Sequence, residues 1–74
     1  MDETKTITTE DGITLKEGDR AYNYYGMKPG MIEQIHPDGW FRFTQKGGPE
    51  FLNGQRICSM EFAVRRGFPG AENA

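Results

Sequence analysis

One cysteine, one histidine and one tryptophan in 74 residues leave little room for covalent or metal chemistry. Cys58 alone forms no intrachain disulfide and no thiolate cage for a metal, so the fold is expected to stand without staples, as suits a reducing cytoplasm. No cofactor is expected. Long apolar runs are missing too: nothing approaches the roughly 20 residues that cross a bilayer. The opening MDETKTITTEDG is polar and acidic and reads as no signal peptide, so a cytoplasmic protein with no membrane contact is expected. Strong charge of one sign is also absent. The net charge is -2, with -4 over residues 1–19 and +2 over residues 20–74. A faintly basic body behind an acidic entry falls well short of the basic stripe of a dedicated nucleic-acid binder.

What the chain has is rings and turns. Hydrophobic residues make up only 35%, but five Phe, three Tyr and one Trp are among them, beside ten Gly and four Pro. A few buried rings can anchor a thin core, and frequent turns favour short strands over a helix bundle. Residues 1–5 are expected to be loose, 6–67 to form one domain and 68–74 to run on as a flexible tail. Residues 6–15 read as either a small hairpin or an extended lead-in, and residues 20–25 (RAYNYY) as a strand. Pro29-Gly30 suits the centre of a turn, with a positive φ at Gly30. The next strand, 31–36, spaces Ile32 and Ile35 three apart, which predicts a bulge or a strong bend. His36-Pro37-Asp38-Gly39 suits a type I turn closed by a left-handed Gly. In the next strand, Phe41 and Phe43 face one way and Trp40, Arg42 and Thr44 the other. Glu50-Phe51-Leu52 reads as a short strand, Asn53-Gly54 as a two-residue hairpin turn, and 55–58 as the returning strand. Ser59 is placed to cap a helix over 60–66 that Gly67 ends.

The run GDRAYNYYGMKPGMIEQIHPDGWFRFT, residues 18–44, resembles the KOW and Tudor-like group of SH3-like small barrels. In that group a Gly-Asp turn opens the first barrel strand, and a later Gly followed by spaced aliphatics forms the second. Gly18, Asp19, Gly30, Ile32 and Ile35 match, while Ala21 stands where the group more often has Val. The resemblance implies a mainly all-β, five-stranded SH3-like small barrel with one short helix near the C-terminus. Through GDRAYNYY, KPG and LNGQRICS the chain is also similar to short phage and prophage proteins of unassigned function.

No catalytic constellation is visible, so a non-enzymatic role is expected. His36 opens a turn and is expected to be exposed, whereas Cys58 ends an apolar strand and is expected to be a buried, inert thiol. Glu10/Asp11 and Glu17/Asp19 have no flanking apolar wall and read as a solvated acidic segment. The remaining candidates are Tyr22, Tyr24, Tyr25 and Trp40 with Lys28, Arg42, Lys46, Arg56, Arg65 and Arg66. This set reads either as a surface able to grip a peptide, stack a base or enclose a cation, or as rings sealing a thin core with arginines complementing a helix end. Three roles stay open: a protein-binding adaptor or phage-type modulator, a KOW-like RNA- or DNA-binding module, and a self-assembling structural protein. A monomer or weak oligomer is expected.

Overall fold

The computed structural model describes residues 5–71. The loose N-terminus expected over 1–5 lies outside them apart from Lys5, as do the last three residues of the expected tail. Seven strands and two short helical turns run in order: β1 (Thr6–Thr8), β2 (Thr14–Lys16), β3 (Arg20–Asn23), β4 (Lys28–Ile35), β5 (Phe41–Gln45), β6 (Glu50–Leu52), a 3-10 turn (Gly54–Arg56), β7 (Ile57–Ser59) and α1 (Met60–Arg66). β3 to β7 form one antiparallel sheet in the order β6-β5-β4-β3-β7, curled into a half-barrel, while β1 and β2 pair as a separate hairpin. This is the small all-β SH3-like fold with one short helix near its C-terminus.

The concave side holds the core. Ile32, Ile35, Phe41, Phe43 and Leu52 are buried together, joined by Ala21 and Ile57, and Ile7 and Leu15 of the hairpin close the open side. Each buried aliphatic or aromatic side chain contributes roughly 1.5–3 kcal/mol against a thin core's chain entropy. The spacing of Ile32 and Ile35 is absorbed as expected. Ile32 stands opposite Phe43 and Gln34 opposite Arg42, so Glu33 is the extra residue of a bulge and both isoleucines point inward. The hairpin at residues 36–40 also forms as expected: Gly39 has φ 96°, and the His36 N–H donates to the Trp40 carbonyl at 2.8 Å.

Two turn assignments are corrected. Pro29 and Gly30 lie inside β4, opposite Tyr22 and Ala21, and Gly30 lacks a positive φ. The turn falls earlier, at residues 24–27, where Met27 takes φ 59°. Gly30 is needed for room instead, since a Cβ there would collide with the Thr44 carbonyl oxygen and the Phe43 ring. Asn53-Gly54 closes no hairpin, because β6 pairs with β5 and β7 pairs with β3. Asn53 instead caps the 3-10 turn by accepting from the Gln55 N–H, and Gly54 lets β1 approach, a Cβ there colliding with the Thr8 carbonyl oxygen.

Of the four acidic residues expected to be solvated, Glu10 is exposed as expected, but Asp11, Glu17 and Asp19 are tied into the fold. Asp11 accepts from the Thr9 hydroxyl (2.5 Å), the Ser59 N–H (3.0 Å) and the Ser59 hydroxyl (2.7 Å). Ser59 in turn caps α1 through the Phe62 N–H, so the hairpin tip is fastened to the helix start. Glu17 accepts the Ile35 N–H at 2.8 Å beyond the bulge, and Asp19 closes the β2–β3 turn on Lys16.

Candidate functional site

The sheet's convex side divides the candidate residues. Over β3 and β7 it is covered. Ala21 faces the core, so alternation sends Tyr22 to the convex side, where α1 and the residues after it bury it completely. Its ring stacks on Phe68 (centroids 5.5 Å apart) and its hydroxyl donates to the Pro69 carbonyl. Burial and the nearby Cys58 push the Tyr22 phenol above its ordinary value. Tyr22 therefore leaves the candidate binding surface: it is core. Phe68 to Ala71, expected to begin a loose tail, lies against the sheet, with Ala71 buried. Cys58 is buried beneath the same cover, as expected, and its thiol is pushed up to about 11 by burial and by the Asp11 charge, which leaves almost no thiolate at neutral pH.

Tyr24 and Arg66 line a cleft of 460 Å³ beside this cover, with Glu10, Asp11, Phe62 and Phe68 among its walls, while Tyr25 packs on Tyr24 outside it, ring centroids 5.1 Å apart. The Tyr24 hydroxyl is spent on the Gln55 carbonyl at 2.7 Å, and burial followed by the Glu10 charge raises its phenol above the ordinary value. Tyr25 is 63% exposed, with the Arg56 guanidinium 4.7 Å from its ring centroid; Arg66 lies 4.8 Å over Phe62. Arg65 points elsewhere and pairs with Glu61 at 3.0 Å, one turn back along α1. Lys28 and Lys46 sit together at the far end of the β4–β5 hairpin, where the Lys28 ammonium donates to the Lys46 carbonyl at 3.0 Å. The ten residues therefore form no single surface.

Over β5 and β6 the convex side is bare. Trp40 is 41% exposed and Phe51 58% exposed. Phe51 stands opposite Arg42 across the β5–β6 ladder, while its neighbour Leu52 pairs inward with Phe41. His36 stacks on Phe51 with ring centroids 5.6 Å apart and an interplanar angle of 21°. Its Nε2 is enclosed without a hydrogen-bond partner, so His36 is half-buried and not the free turn residue expected. His36, Pro37, Asp38, Trp40 and Phe51 line one open hollow of 550 Å³. Arg42 is held by Glu33 across the bulge (Nε–Oε1 3.4 Å), which offsets its charge. The sequence points to Trp40 and Arg42 but not to Phe51 or His36. Glu50-Phe51-Leu52 offers two adjacent apolar residues, and only the pairing with Phe41 decides which one faces out.

Among the described residues no three His, Cys, Asp or Glu side chains gather as a metal cage, and no helix is long and apolar enough to cross a membrane. Compared with family models, curated proteins and solved structures, the chain matches none.

Proposed function

We propose that the protein is a small non-enzymatic module that binds another protein through the bare convex face of β5 and β6. The observation that carries this reading is the hollow of Trp40, Phe51, His36 and Pro37, an aromatic patch left uncovered on a chain that covers the equivalent face over β3 with a helix. Exposed aromatic clusters with an arginine beside them are typical anchors of protein interfaces. Because Arg42 is engaged by Glu33 and Asp38 lines the same hollow, the patch lacks the free cations that phosphate recognition needs. A cytoplasmic setting, and action as a phage-type modulator of a host protein, are consistent with the lone cysteine and with the sequence resemblance.

The test uses immobilised protein and extract of the source cell. Wild type is expected to retain a protein that a Trp40→Ala/Phe51→Ser double variant does not, and neither is expected to retain short RNA or DNA at about 50 mM salt. Equal retention by both proteins would overturn the reading. A second reading, a KOW-like nucleic-acid module, draws on Arg56 over Tyr25, which presents a cation and a ring together. It predicts RNA or DNA retention that weakens steeply with added salt and is lost in Tyr25→Ala/Arg56→Ala. Self-assembly predicts a mass that rises with concentration.

A further inference from the structure

The half-barrel has two edges, and only one is covered. At the β7 edge the Glu10 N–H donates to the Ile57 carbonyl at 3.0 Å, and Asp11 takes the Ser59 N–H, so the tip of the β1–β2 hairpin caps that strand. At the other edge β6 pairs with β5 alone, and no backbone hydrogen bond joins Glu50–Leu52 to any other described segment. An unpaired strand edge presents N–H and C=O groups that a further strand can satisfy. Asn53, with φ −121° and ψ 174°, continues the extended path, but its carbonyl already accepts the Arg56 N–H, so the open edge is Glu50–Leu52.

The side chains along this edge specify what pairs with it. Phe51 points to the convex side and joins the edge directly to the Trp40–His36 hollow. Two carboxylates lie near it on opposite faces: Glu50, paired with the inward-facing Phe43, on the concave side, and Asp38 on the convex rim of the hollow. Neither has a cationic partner among the described residues. Glu50 receives only a long bond from the Asn23 amide (3.4 Å), and Asp38 accepts only the Trp40 N–H (3.2 Å). Arg42, opposite Phe51 on β5, is occupied by Glu33.

We infer that β6 is the docking edge for an extended segment of the partner protein, which adds to the sheet as a sixth strand. An apolar side chain of that segment lies on Phe51 at the convex side, and a Lys or Arg next to it, which alternation sends to the other side, meets Glu50. This rests on the protein-binding reading above and adds the mode and the charge pattern. Main-chain pairing supplies affinity, the ring of Phe51 sets the register, and Glu50 selects an alternating basic–apolar segment over an acidic one.

The probe is a synthetic peptide of alternating Lys and Val with a central Phe, titrated by calorimetry and by amide shifts. Three comparisons accompany it: the same peptide with Glu for Lys, the peptide N-methylated at alternate residues, and the protein variant Glu50→Lys. The parent peptide is expected to bind and to shift the amides of residues 50–53. The Glu peptide should bind about tenfold more weakly to wild type and regain the difference on Glu50→Lys. The N-methylated peptide should lose binding, because its edge donors are blocked. Equal binding of N-methylated and parent peptides would overturn strand addition. So would shifts confined to residues 20–25 or to α1, no binding at millimolar peptide, or a mass that doubles with concentration while residues 50–53 shift without peptide. The two readings fail separately. If the double variant Trp40→Ala/Phe51→Ser loses the natural partner while N-methylation has no effect, the surface stands and the added strand falls.

Discussion

Tyr22 and Trp40 both project from the convex side of one curled sheet, yet one is sealed and the other is 41% exposed. The difference lies in the segment that each end of the sheet leads into. β7 runs straight into α1, and the seven-residue helix and the residues after it fold back over β3, bringing Phe68 onto Tyr22. β5 and β6 are joined by a turn at residues 46–49, which carries no element long enough to reach back over them. A thin half-barrel has apolar residues to spare on one side only, and this chain uses its single helix at the β3/β7 end. The β5/β6 end keeps its rings in water, which costs free energy in the isolated protein and is offset when a partner covers them.

Substitutions sharpen that contrast, beginning with the largest effect. Tyr22→Ala removes a fully buried ring and is expected to destabilise by about 3–5 kcal/mol, enough to unfold much of a small domain. Tyr22→Phe removes only the bond to the Pro69 carbonyl and is expected to cost about 1 kcal/mol, a fall of roughly 4–8 °C in Tm. If Tyr22→Ala melts like wild type, the covered face is not core. Gly30→Ala forces a Cβ against the Thr44 carbonyl and the Phe43 ring in the strand that links the two regions. It is expected to cost about 1–3 kcal/mol by urea unfolding, and a neutral result would contradict the close approach.

Asp11 fastens the hairpin to the covered end, and its stability contribution depends on pH with a definite sign. Burial acts to raise its pKa, but the bonds from Thr9 and Ser59 outweigh it and hold the carboxyl below the ordinary aspartate value. A lowered folded-state pKa means that the stabilisation is full above about pH 4 and is lost as pH falls through the folded value. Asp11→Asn is therefore expected to be about 1–2 kcal/mol less stable than wild type at pH 7, with the gap closing below about pH 4. A gap independent of pH would show that the charge is not what matters. The smallest stability effects belong to the bare face: Trp40→Ala and Phe51→Ser are expected to change unfolding by less than about 0.5–1 kcal/mol while removing partner binding. A large loss of stability there would make these rings core and remove the contrast.

How much the sequence made legible depends on the range of the interactions involved. The alternation of Phe41 and Phe43, the turn at His36 to Gly39 and the Ser59-to-Gly67 helix are each decided within a few residues, and each forms as expected. Ile32 and Ile35 pointed to a bulge or strong bend because a spacing of three breaks the alternation of a regular strand, and the ladder resolves it as a bulge. Contacts across the chain were not legible. Asn53-Gly54 is a strong local hairpin signal, but β1 packs against Gly54 and β7 is drawn to β3. Asp11 looked solvated because its partner Ser59 lies 48 residues away. Whether Tyr22 is a surface ring or a sealing ring stayed open because nothing in RAYNYY announces which of its three tyrosines a distant helix covers. Phe51 entered the candidate site through its stack on His36, a contact set by sheet register alone.

The single tryptophan offers the most direct measurement, since Trp40 lies in the hollow and no other indole competes with its signal. When the protein retained from extract is titrated in, the emission of Trp40 is expected to move to shorter wavelength and acrylamide quenching to fall as the hollow is covered. Saturable binding that leaves both the emission and the quenching of Trp40 unchanged would contradict the assignment of this face as the binding surface.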